Sequence, residues 1–77
     1  MELYFYDDCE YSQIVLNTIS TLKIKDKFTF KDIRLNPDYA KELVDLTGDV
    51  MVPCLITQDD QMKEAKDIRK YLVSQFM

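Results

Sequence analysis

The sequence contains no histidine among its 77 residues. Histidine is the general base that activates the nucleophile in Ser-His-Asp and Cys-His enzymes. Its absence excludes both kinds of catalytic machinery. A reactive nucleophile in this chain must therefore be activated by backbone N–H groups, by a helix dipole, by a basic side chain or by its own substrate.

Cysteine is also scarce, with only Cys9 and Cys54, which lie far apart in the sequence. Small secreted scaffolds usually carry about four or more cysteines, and structural zinc sites need clustered Cys and His ligands. The pair therefore indicates neither a disulfide framework nor a zinc site, and no metal is expected.

Long apolar runs and basic clusters are missing as well. No segment approaches the roughly 18 apolar residues of a membrane-spanning helix. The N-terminus lacks the basic region and cleavage site of a signal peptide, so we expect a cytoplasmic protein without membrane contact. Ten Lys and Arg against fourteen Asp and Glu give a net charge of −4. This charge disfavours a nucleic-acid partner, because phosphate contacts need a basic surface.

The length predicts one domain, residues 1–77, with a modest core, and a monomer is expected. Residues 2–6 are apolar and aromatic, which predicts a buried strand. Residues 10–23 carry an apolar stripe at helical spacing. A half-buried second strand is predicted next. Its buried face is expected to be formed by Phe28, Phe30, Ile33 and Leu35.

A second helix is predicted from Asn36-Pro37 to Gly48. Asn can cap the free N–H groups, and Pro at the first helical position loses no hydrogen bond. Gly48, the only glycine, can end the helix in the left-handed conformation. Its buried stripe is expected to consist of Tyr39, Ala40, Leu43, Val44 and Leu46. Two strands joined by a helical crossover of roughly a dozen residues should lie parallel and be connected right-handedly.

The residue pattern of the last third of the chain predicts an antiparallel hairpin followed by a helix. Residues 52–57 are apolar and β-prone, and Pro53 suits the first position of a strand because it cannot donate to a sheet. The polar stretch 58–61 predicts a tight turn before a short strand at 62–63. Residues 65–76 predict the last helix. The order βαβαββα implies an α/β fold, a four-stranded mixed sheet with helices on both faces.

Cys9 is the first candidate for chemistry, because it lies between the first strand and the first helix. Orphan N–H groups and the helix dipole at that position favour a thiolate. The acidic neighbours Asp7, Asp8 and Glu10 oppose this effect, although exposed charges are strongly screened. We expect the pKa of Cys9 to lie below that of a free thiol. The alternative is a small buried hydrophobic residue without chemistry.

Several motifs together resemble a known superfamily. They are Glu2-Leu3-Tyr4, Cys9-Glu10-Tyr11-Ser12, Asn36-Pro37-Asp38, Thr47-Gly48, Val52-Pro53-Cys54-Leu55-Ile56, Met62-Lys63-Glu64-Ala65 and Tyr71-Leu72. In order and spacing this chain resembles the thioredoxin superfamily, and within it the glutaredoxins and the N-terminal domain of glutathione transferases. The resemblance implies the thioredoxin/glutaredoxin-like fold.

The resemblance also implies roles for individual residues. Cys9 would be the nucleophile that exchanges with glutathione mixed disulfides, and Tyr11 would line the site beside it. The backbone of Val52, held by a cis Pro53, would pair with the cysteinyl part of glutathione.

The γ-glutamyl end of glutathione would lie at the start of the last helix. The resemblance assigns it to Glu64 and to the N–H groups of Ala65 and Lys66. A carboxylate suits a helix N-terminus, and the ammonium group suits Glu64 or Asp67.

Some residues depart from the family pattern. Ser12 replaces the second active-site cysteine, which leaves a single thiol in the motif, and Glu10 replaces a proline. Tyr6 and Asp49 stand where dithiol glutaredoxins have a lysine and an arginine that help to hold the glycine carboxylate of glutathione. Ala65 replaces the serine of the transferases.

Two further residues have alternative interpretations. Ser12 is expected either to satisfy helix N–H groups or to contact the thiol. Cys54 is expected to be a buried packing residue, and the alternative is a resolving thiol for Cys9, which would require the two Cα atoms to lie within about 7 Å.

The predicted function is that of a glutathione-linked monothiol oxidoreductase. Its co-substrate would be glutathione, and its partners would be glutathionylated or disulfide-bonded substrates. The alternative is a catalytically weak thioredoxin-fold module that binds glutathione or a protein. A glutathione-ligated iron–sulfur carrier is less favoured, because monothiol relatives have Gly-Phe where this chain has Glu10-Tyr11. A transferase is not expected, because the helical domain that holds the electrophile is missing from these residues.

Overall fold

The computed structural model describes residues 1–77 and contains one four-stranded sheet with three α-helices. The elements are, in chain order, β1 (Glu2–Phe5), α1 (Glu10–Leu22), a 3-10 turn (Lys25–Lys27), β2 (Thr29–Asp32), α2 (Pro37–Thr47), β3 (Cys54–Ile56), β4 (Gln61–Met62) and α3 (Ala65–Phe76). The strand order is β2-β1-β3-β4, with β1 and β2 parallel and the other two pairs antiparallel. The predicted fold class is confirmed.

The side chains of the sheet alternate between two unequal apolar layers, because successive residues of a strand point to opposite faces. The larger layer lies under α1 and α3. Its fully buried members include Leu3, Leu55, Val15, Ile68 and Leu72. The smaller layer lies under α2 and contains Tyr4, Leu43 and Cys54. Burial of each large apolar side chain contributes about 2 kcal/mol relative to exposure.

The ends of α2 follow the sequence prediction. The Asn36 side chain accepts a hydrogen bond from the Asp38 N–H at 3.0 Å, and Pro37 occupies the first turn. At the other end Gly48 has a φ of 80°, and its N–H donates to the Val44 carbonyl. A glycine tolerates this left-handed conformation because it has no Cβ.

Two predictions of buried faces are wrong. Leu35 is 83% exposed, because β2 ends at Asp32. The Asp32 carboxylate accepts hydrogen bonds from the N–H groups of Arg34 and Leu35, which turns the chain out of the sheet. Phe30 packs on the larger layer and Ile33 on the smaller, so they never shared one face.

The predicted buried stripe of α2 is wider than the face that the structure buries. Leu43 is buried, but Val44 and Leu46 are 42% and 46% exposed. Helix α2 is the only helix over the smaller layer and has no neighbouring helix on that face, so only a narrow strip of it is covered. No helix of the structure is long and apolar enough to cross a membrane.

Candidate functional site

Cys9 lies at the N-cap of α1, at the edge where β1 ends. Its N–H donates to the Tyr6 carbonyl at 3.2 Å, which closes the turn, and its own carbonyl accepts from the Gln13 N–H at 3.0 Å. Cys9 has extended backbone angles (φ −82°, ψ 120°) and is 9% exposed. Its sulfur is therefore held beside the orphan N–H groups of the first helical turn.

The surroundings of Cys9 lower the pKa of its thiol. Burial raises the pKa, because it disfavours the charged form. This effect is outweighed by the polar groups that stabilise the thiolate, which are the N–H and hydroxyl of Ser12, the Tyr11 N–H and the Tyr6 side chain. The pKa of Cys9 is thus lowered, in the expected direction, because polar donors at the helix N-terminus stabilise the thiolate.

Ser12 is the most unusual polar residue of the site. It is fully buried, and its Oγ has no hydrogen-bond partner in the resting protein. The expectation that it caps the helix N–H groups is therefore wrong. Its hydroxyl nevertheless contributes to lowering the pKa of Cys9, since a thiolate attracts the rotatable O–H more strongly than a thiol does.

Arg34 brings a positive charge to the site that the sequence did not suggest. Its guanidinium lies 3.9 Å from the centre of the Tyr6 ring, and it donates to the Asp8 carboxylate at 3.2 Å. It thereby offsets one of the acidic groups next to Cys9. Nothing local in the sequence signals this contact, because the parallel pairing of β1 with β2 creates it.

Val52 and Pro53 lie at the same edge of the sheet. The peptide bond between them is cis. Tyr4 is paired with Cys54 in the β1–β3 register, so the two residues before Cys54 run alongside the end of β1 and the turn that leads to Cys9. Pro53 is fully buried, and Val52 packs against the smaller apolar layer.

The remaining candidate residues, Glu64 and Ala65, lie at the N-terminus of α3. Glu64 occupies the N-cap position, but its side chain makes no capping hydrogen bond, and Ala65 is 7% exposed. Both residues line a cavity of about 500 Å³ between α1 and α3, and Tyr11 lines it from the α1 side. The structure thus brings Tyr11, Glu64 and Ala65 together around this cavity, whereas Cys9, Val52 and Pro53 lie outside its lining.

Cys54 has the surroundings of a packing residue. It is fully buried, it packs with Tyr4 and Leu43 under α2, and burial raises the pKa of its thiol. Both cysteines are free thiols. These features favour packing over a resolving role for Cys54.

The sheet order, the cis-proline before β3 and the cysteine at the start of α1 define a thioredoxin-like fold. Residues 3–77 match the family model described as "Glutathione S-transferase, N-terminal domain". The chain belongs to this family. A comparison with curated protein sequences finds no match.

Two solved structures of similar fold come from insects. An epsilon-class glutathione S-transferase from the housefly, Musca domestica, has a TM-score of 0.77 and 22% identity over 97% of this chain. Glutathione S-transferase isozyme E7 from Drosophila melanogaster has a TM-score of 0.77 and 21% identity over 97% of this chain. At this identity the likeness concerns the fold. The chain spans about a third (34%) of the length of each of these structures.

Proposed function

We propose that the protein is a glutathione-linked monothiol oxidoreductase in which Cys9 exchanges with glutathione mixed disulfides. The observation that carries the proposal is the lowered pKa of a Cys9 thiol at the N-cap of α1. A thiolate is the nucleophilic form in thiol–disulfide exchange. Membership of the glutathione S-transferase N-terminal domain family supports glutathione as the co-substrate.

The proposed reaction has two exchange steps. The Cys9 thiolate attacks the glutathione sulfur of a mixed disulfide, so that a Cys9–glutathione disulfide forms and the substrate leaves as a thiolate that takes up a proton. A second glutathione thiolate then attacks the glutathione sulfur bound to Cys9. This step releases oxidised glutathione and regenerates the Cys9 thiolate, so that one reduced glutathione is consumed and the disulfide bond passes from the substrate to glutathione.

In this proposal the hydrogen-bond donors around Cys9 serve both steps. The N–H groups of Tyr11 and Ser12 and the Ser12 hydroxyl stabilise negative charge on the Cys9 sulfur. This makes Cys9 a good leaving group in the second step as well as a nucleophile in the first. Ser12 in place of a second cysteine limits this motif to the monothiol reaction.

We assign glutathione to the edge formed by Cys9, Val52, Glu64 and Ala65. The backbone of Val52 would pair with the cysteinyl part. The start of α3 would receive the γ-glutamyl carboxylate, because the first N–H groups of a helix have no intrahelical partners. A reducing compartment such as the cytoplasm would supply the glutathione.

The proposal is tested by turnover of the mixed disulfide between glutathione and 2-mercaptoethanol, coupled to glutathione reductase. We expect turnover with the wild-type protein and with Cys54→Ala, and none with Cys9→Ser. Equal turnover by Cys9→Ser would overturn the proposal.

A second candidate function is a binding module, and the 9% exposure of Cys9 favours it because a nucleophile needs access. Calorimetric titration with glutathione separates the two functions. Glutathione binding by a wild-type protein that shows no Cys9-dependent turnover would establish the binding module.

A further inference from the structure

The side chain of Arg34 joins two residues of the turn that leads to Cys9. Its guanidinium lies 3.9 Å from the centre of the Tyr6 ring, and its Nη1 donates to the Asp8 carboxylate at 3.2 Å. Cys9 is tied into the same turn, because its N–H donates to the Tyr6 carbonyl at 3.2 Å. One cation therefore contacts both the residue at the start of this turn and the residue directly before the cysteine.

The backbone that carries Arg34 is held by contacts of its own. The Ile33 N–H donates to the Phe5 carbonyl at 2.9 Å, which continues the pairing of β1 with β2 past Asp32. The Asp32 carboxylate then accepts from the Arg34 N–H at 2.9 Å. The Arg34 side chain thus starts from a fixed point beside the end of β1, and fixing this point in advance reduces the entropy lost when the side chain contacts the turn.

The turn that carries Cys9 is acidic, and Arg34 is the cation that contacts it. Three carboxylates flank the cysteine in the sequence, those of Asp7, Asp8 and Glu10. A negative charge near the sulfur disfavours the thiolate. Lys63 and Glu64 reach the same edge of the sheet after β4, but neither forms an ion pair. Arg34 therefore supplies the positive charge that pairs with this turn.

The Tyr6 side chain depends on Arg34 for a second reason. It is one of the polar groups that lower the pKa of Cys9, and a phenol stabilises a thiolate only while its ring keeps the required orientation. Tyr6 is only partly buried, so packing leaves its ring some freedom. The guanidinium over the ring face is attracted to the aromatic system and opposes rotation of the ring away from the turn.

We propose that Arg34 is a positioning residue for the Cys9 thiolate, which holds the Tyr6 phenol toward the sulfur and cancels the negative charge of Asp8 beside it. This inference rests on the proposed function, because it names the residue that prepares the nucleophile of that reaction. Arg34 acts through Tyr6 and Asp8 and not by contact with the sulfur or with glutathione.

The ion pair of Arg34 is exposed, so its main effect is not on the stability of the fold. The side chains of Arg34 and Asp8 are 58% and 86% exposed, and ion pairs of this kind contribute little to stability. The backbone of the turn is also held from α1, because the Gln13 side chain donates to the Asp7 carbonyl at 2.7 Å. Loss of the Arg34 side chain should therefore leave the protein folded and change the surroundings of Cys9.

The first test is titration of thiolate absorbance near 240 nm in a Cys54→Ala background. We expect Arg34→Gln to raise the pKa of Cys9. Arg34→Lys should raise it less, because lysine keeps the charge toward Asp8 but lacks the planar group that stacks on the ring. The control is Lys25→Gln, which removes one exposed positive charge at the edge of the sheet where β2 begins, opposite to Cys9. It should leave the pKa of Cys9 unchanged.

A double-mutant comparison tests whether Arg34 acts through its two partners. In Tyr6→Phe/Asp8→Asn the ring remains, but the phenol hydroxyl and the carboxylate charge are gone. Adding Arg34→Gln to this background should change the pKa of Cys9 much less than it does in the wild type. An equal change in both backgrounds would overturn the inference, because Arg34 would then act on the sulfur by a route that involves neither partner.

The second test is the pH profile of kcat/KM with the mixed disulfide of glutathione and 2-mercaptoethanol. For Arg34→Gln the midpoint should move to higher pH. Below the midpoint we expect kcat/KM to fall about twofold, because the greater nucleophilicity of a less acidic thiol offsets part of the loss of thiolate. Above the midpoint the variant should reach at least the wild-type value. A role of Arg34 in structure alone would lower the profile at every pH without moving its midpoint.

The outcomes separate this inference from the proposed function. An unchanged pKa of Cys9 in Arg34→Gln, with normal Cys9-dependent turnover, would overturn the inference alone. An equal rise in Lys25→Gln would also overturn it, because loss of any positive charge would then explain the shift. Absence of turnover in the wild type would overturn the proposed function, and the thiolate titration would still measure the effect of Arg34 on the sulfur. Urea unfolding checks that Arg34→Gln and Arg34→Lys are folded under the conditions of both tests.

Discussion

At the scale of single residues, the chemistry of Cys9 is set by opposing effects on one sulfur atom. Burial alone would hold the thiol in its neutral form, as it does for Cys54. The two cysteines are both buried, yet their pKa values shift in opposite directions. The difference is that Cys9 faces the donors at the start of a helix, whereas Cys54 lies among apolar side chains and a tyrosine ring in the middle of the sheet.

Replacing Ser12 by alanine should raise the pKa of Cys9. The substitution removes the Oγ that helps to stabilise the thiolate, while the backbone donors at Ser12 and Tyr11 remain. We expect a rise, because one group that stabilises the thiolate is lost. Titration of thiolate absorbance near 240 nm measures it, in a Cys54→Ala background so that only Cys9 titrates. An unchanged pKa would show that the hydroxyl does not reach the sulfur.

Replacing Tyr6 by phenylalanine should raise the pKa of Cys9 as well. The Tyr6 side chain is the last of the donors that lower this pKa, so the expected rise is smaller than for Ser12→Ala. The stacking of Arg34 on the ring should survive, because phenylalanine keeps the aromatic face. Tyr71→Phe, made at a tyrosine in the larger apolar layer, is the control. A fall in the Cys9 pKa in Tyr6→Phe would contradict the donor role.

At the scale of secondary-structure elements, Lys31 connects β2 to β1 and α2. Its side chain is 14% exposed and forms ion pairs with Glu2 on β1, at 2.6 Å, and with Glu42 on α2. Its ammonium also lies 5.1 Å from the Tyr4 ring centre and 5.6 Å from that of Tyr39. The hydrogen bonds to Glu2 and Glu42 raise the pKa of Lys31. This network adds polar contacts to the side of the sheet where the apolar layer is small.

Replacing Lys31 by methionine should lower the free energy of unfolding by about 2 kcal/mol. Methionine keeps the apolar stem, but it leaves Glu2, Glu42 and the Tyr4 hydroxyl without their shared cation. The cost lies between that of a surface ion pair and that of a buried one, because the two carboxylates are 41% and 43% exposed and can regain water. Urea unfolding measures the change, with the exposed Lys25→Met as the control. An equal effect in both variants would contradict a specific role for Lys31.

Helix α2 is capped at its N-terminus by the side chain of Asn36. Replacing Asn36 by alanine removes the side-chain acceptor for the Asp38 N–H. We expect a loss of about 1 kcal/mol of stability, which is typical for an N-cap. Asn17→Ala, on the exposed side of α1, should change stability by much less. Equal urea midpoints for wild type and Asn36→Ala would show that the cap contributes nothing.

At the scale of the whole molecule, the sequence predicted what depends on periodicity and on turn residues. The order of elements, the parallel β1–β2 pair, the hairpin and the ends of α2 follow from patterns that lie within a few residues of one another. The exposed Leu35 and the contacts of Arg34 could not be predicted in this way. Both depend on where β2 leaves the sheet and on which helix covers each face, and these are properties of the assembled fold.

The candidate site likewise has features that were predictable from local sequence patterns and features that were not. The position of Cys9 at a helix N-terminus was predictable from the strand and helix patterns on either side. The unpartnered Ser12 hydroxyl and the contribution of Tyr6 were not, because they depend on side-chain directions around a four-residue turn.

Alkaline pH should destabilise the whole fold through Tyr4. Burial, together with the hydrogen bond that its hydroxyl donates to Glu42 at 2.8 Å, raises the pKa of Tyr4 from 10.0 to about 12. In the unfolded chain Tyr4 loses its proton near its ordinary pKa, whereas the folded protein keeps it. The stabilisation is therefore complete below pH 10 and is lost as pH rises toward 12. We expect the loss attributable to Tyr4 to reach about 2 kcal/mol near the upper end of this window.

The measurement is urea unfolding between pH 8 and 11.5, comparing wild type with Tyr4→Phe. Lys31 and Cys54 also have raised pKa values, so their contributions fall in the same direction and must be cancelled by the comparison. Tyr4→Phe should be less stable than wild type at pH 8, because it loses the hydrogen bond to Glu42. Its stability should decline less steeply above pH 10, so that the two curves converge. Parallel curves would show that Tyr4 titrates alike in the folded and unfolded chains, and the alkaline loss would then belong to the other groups.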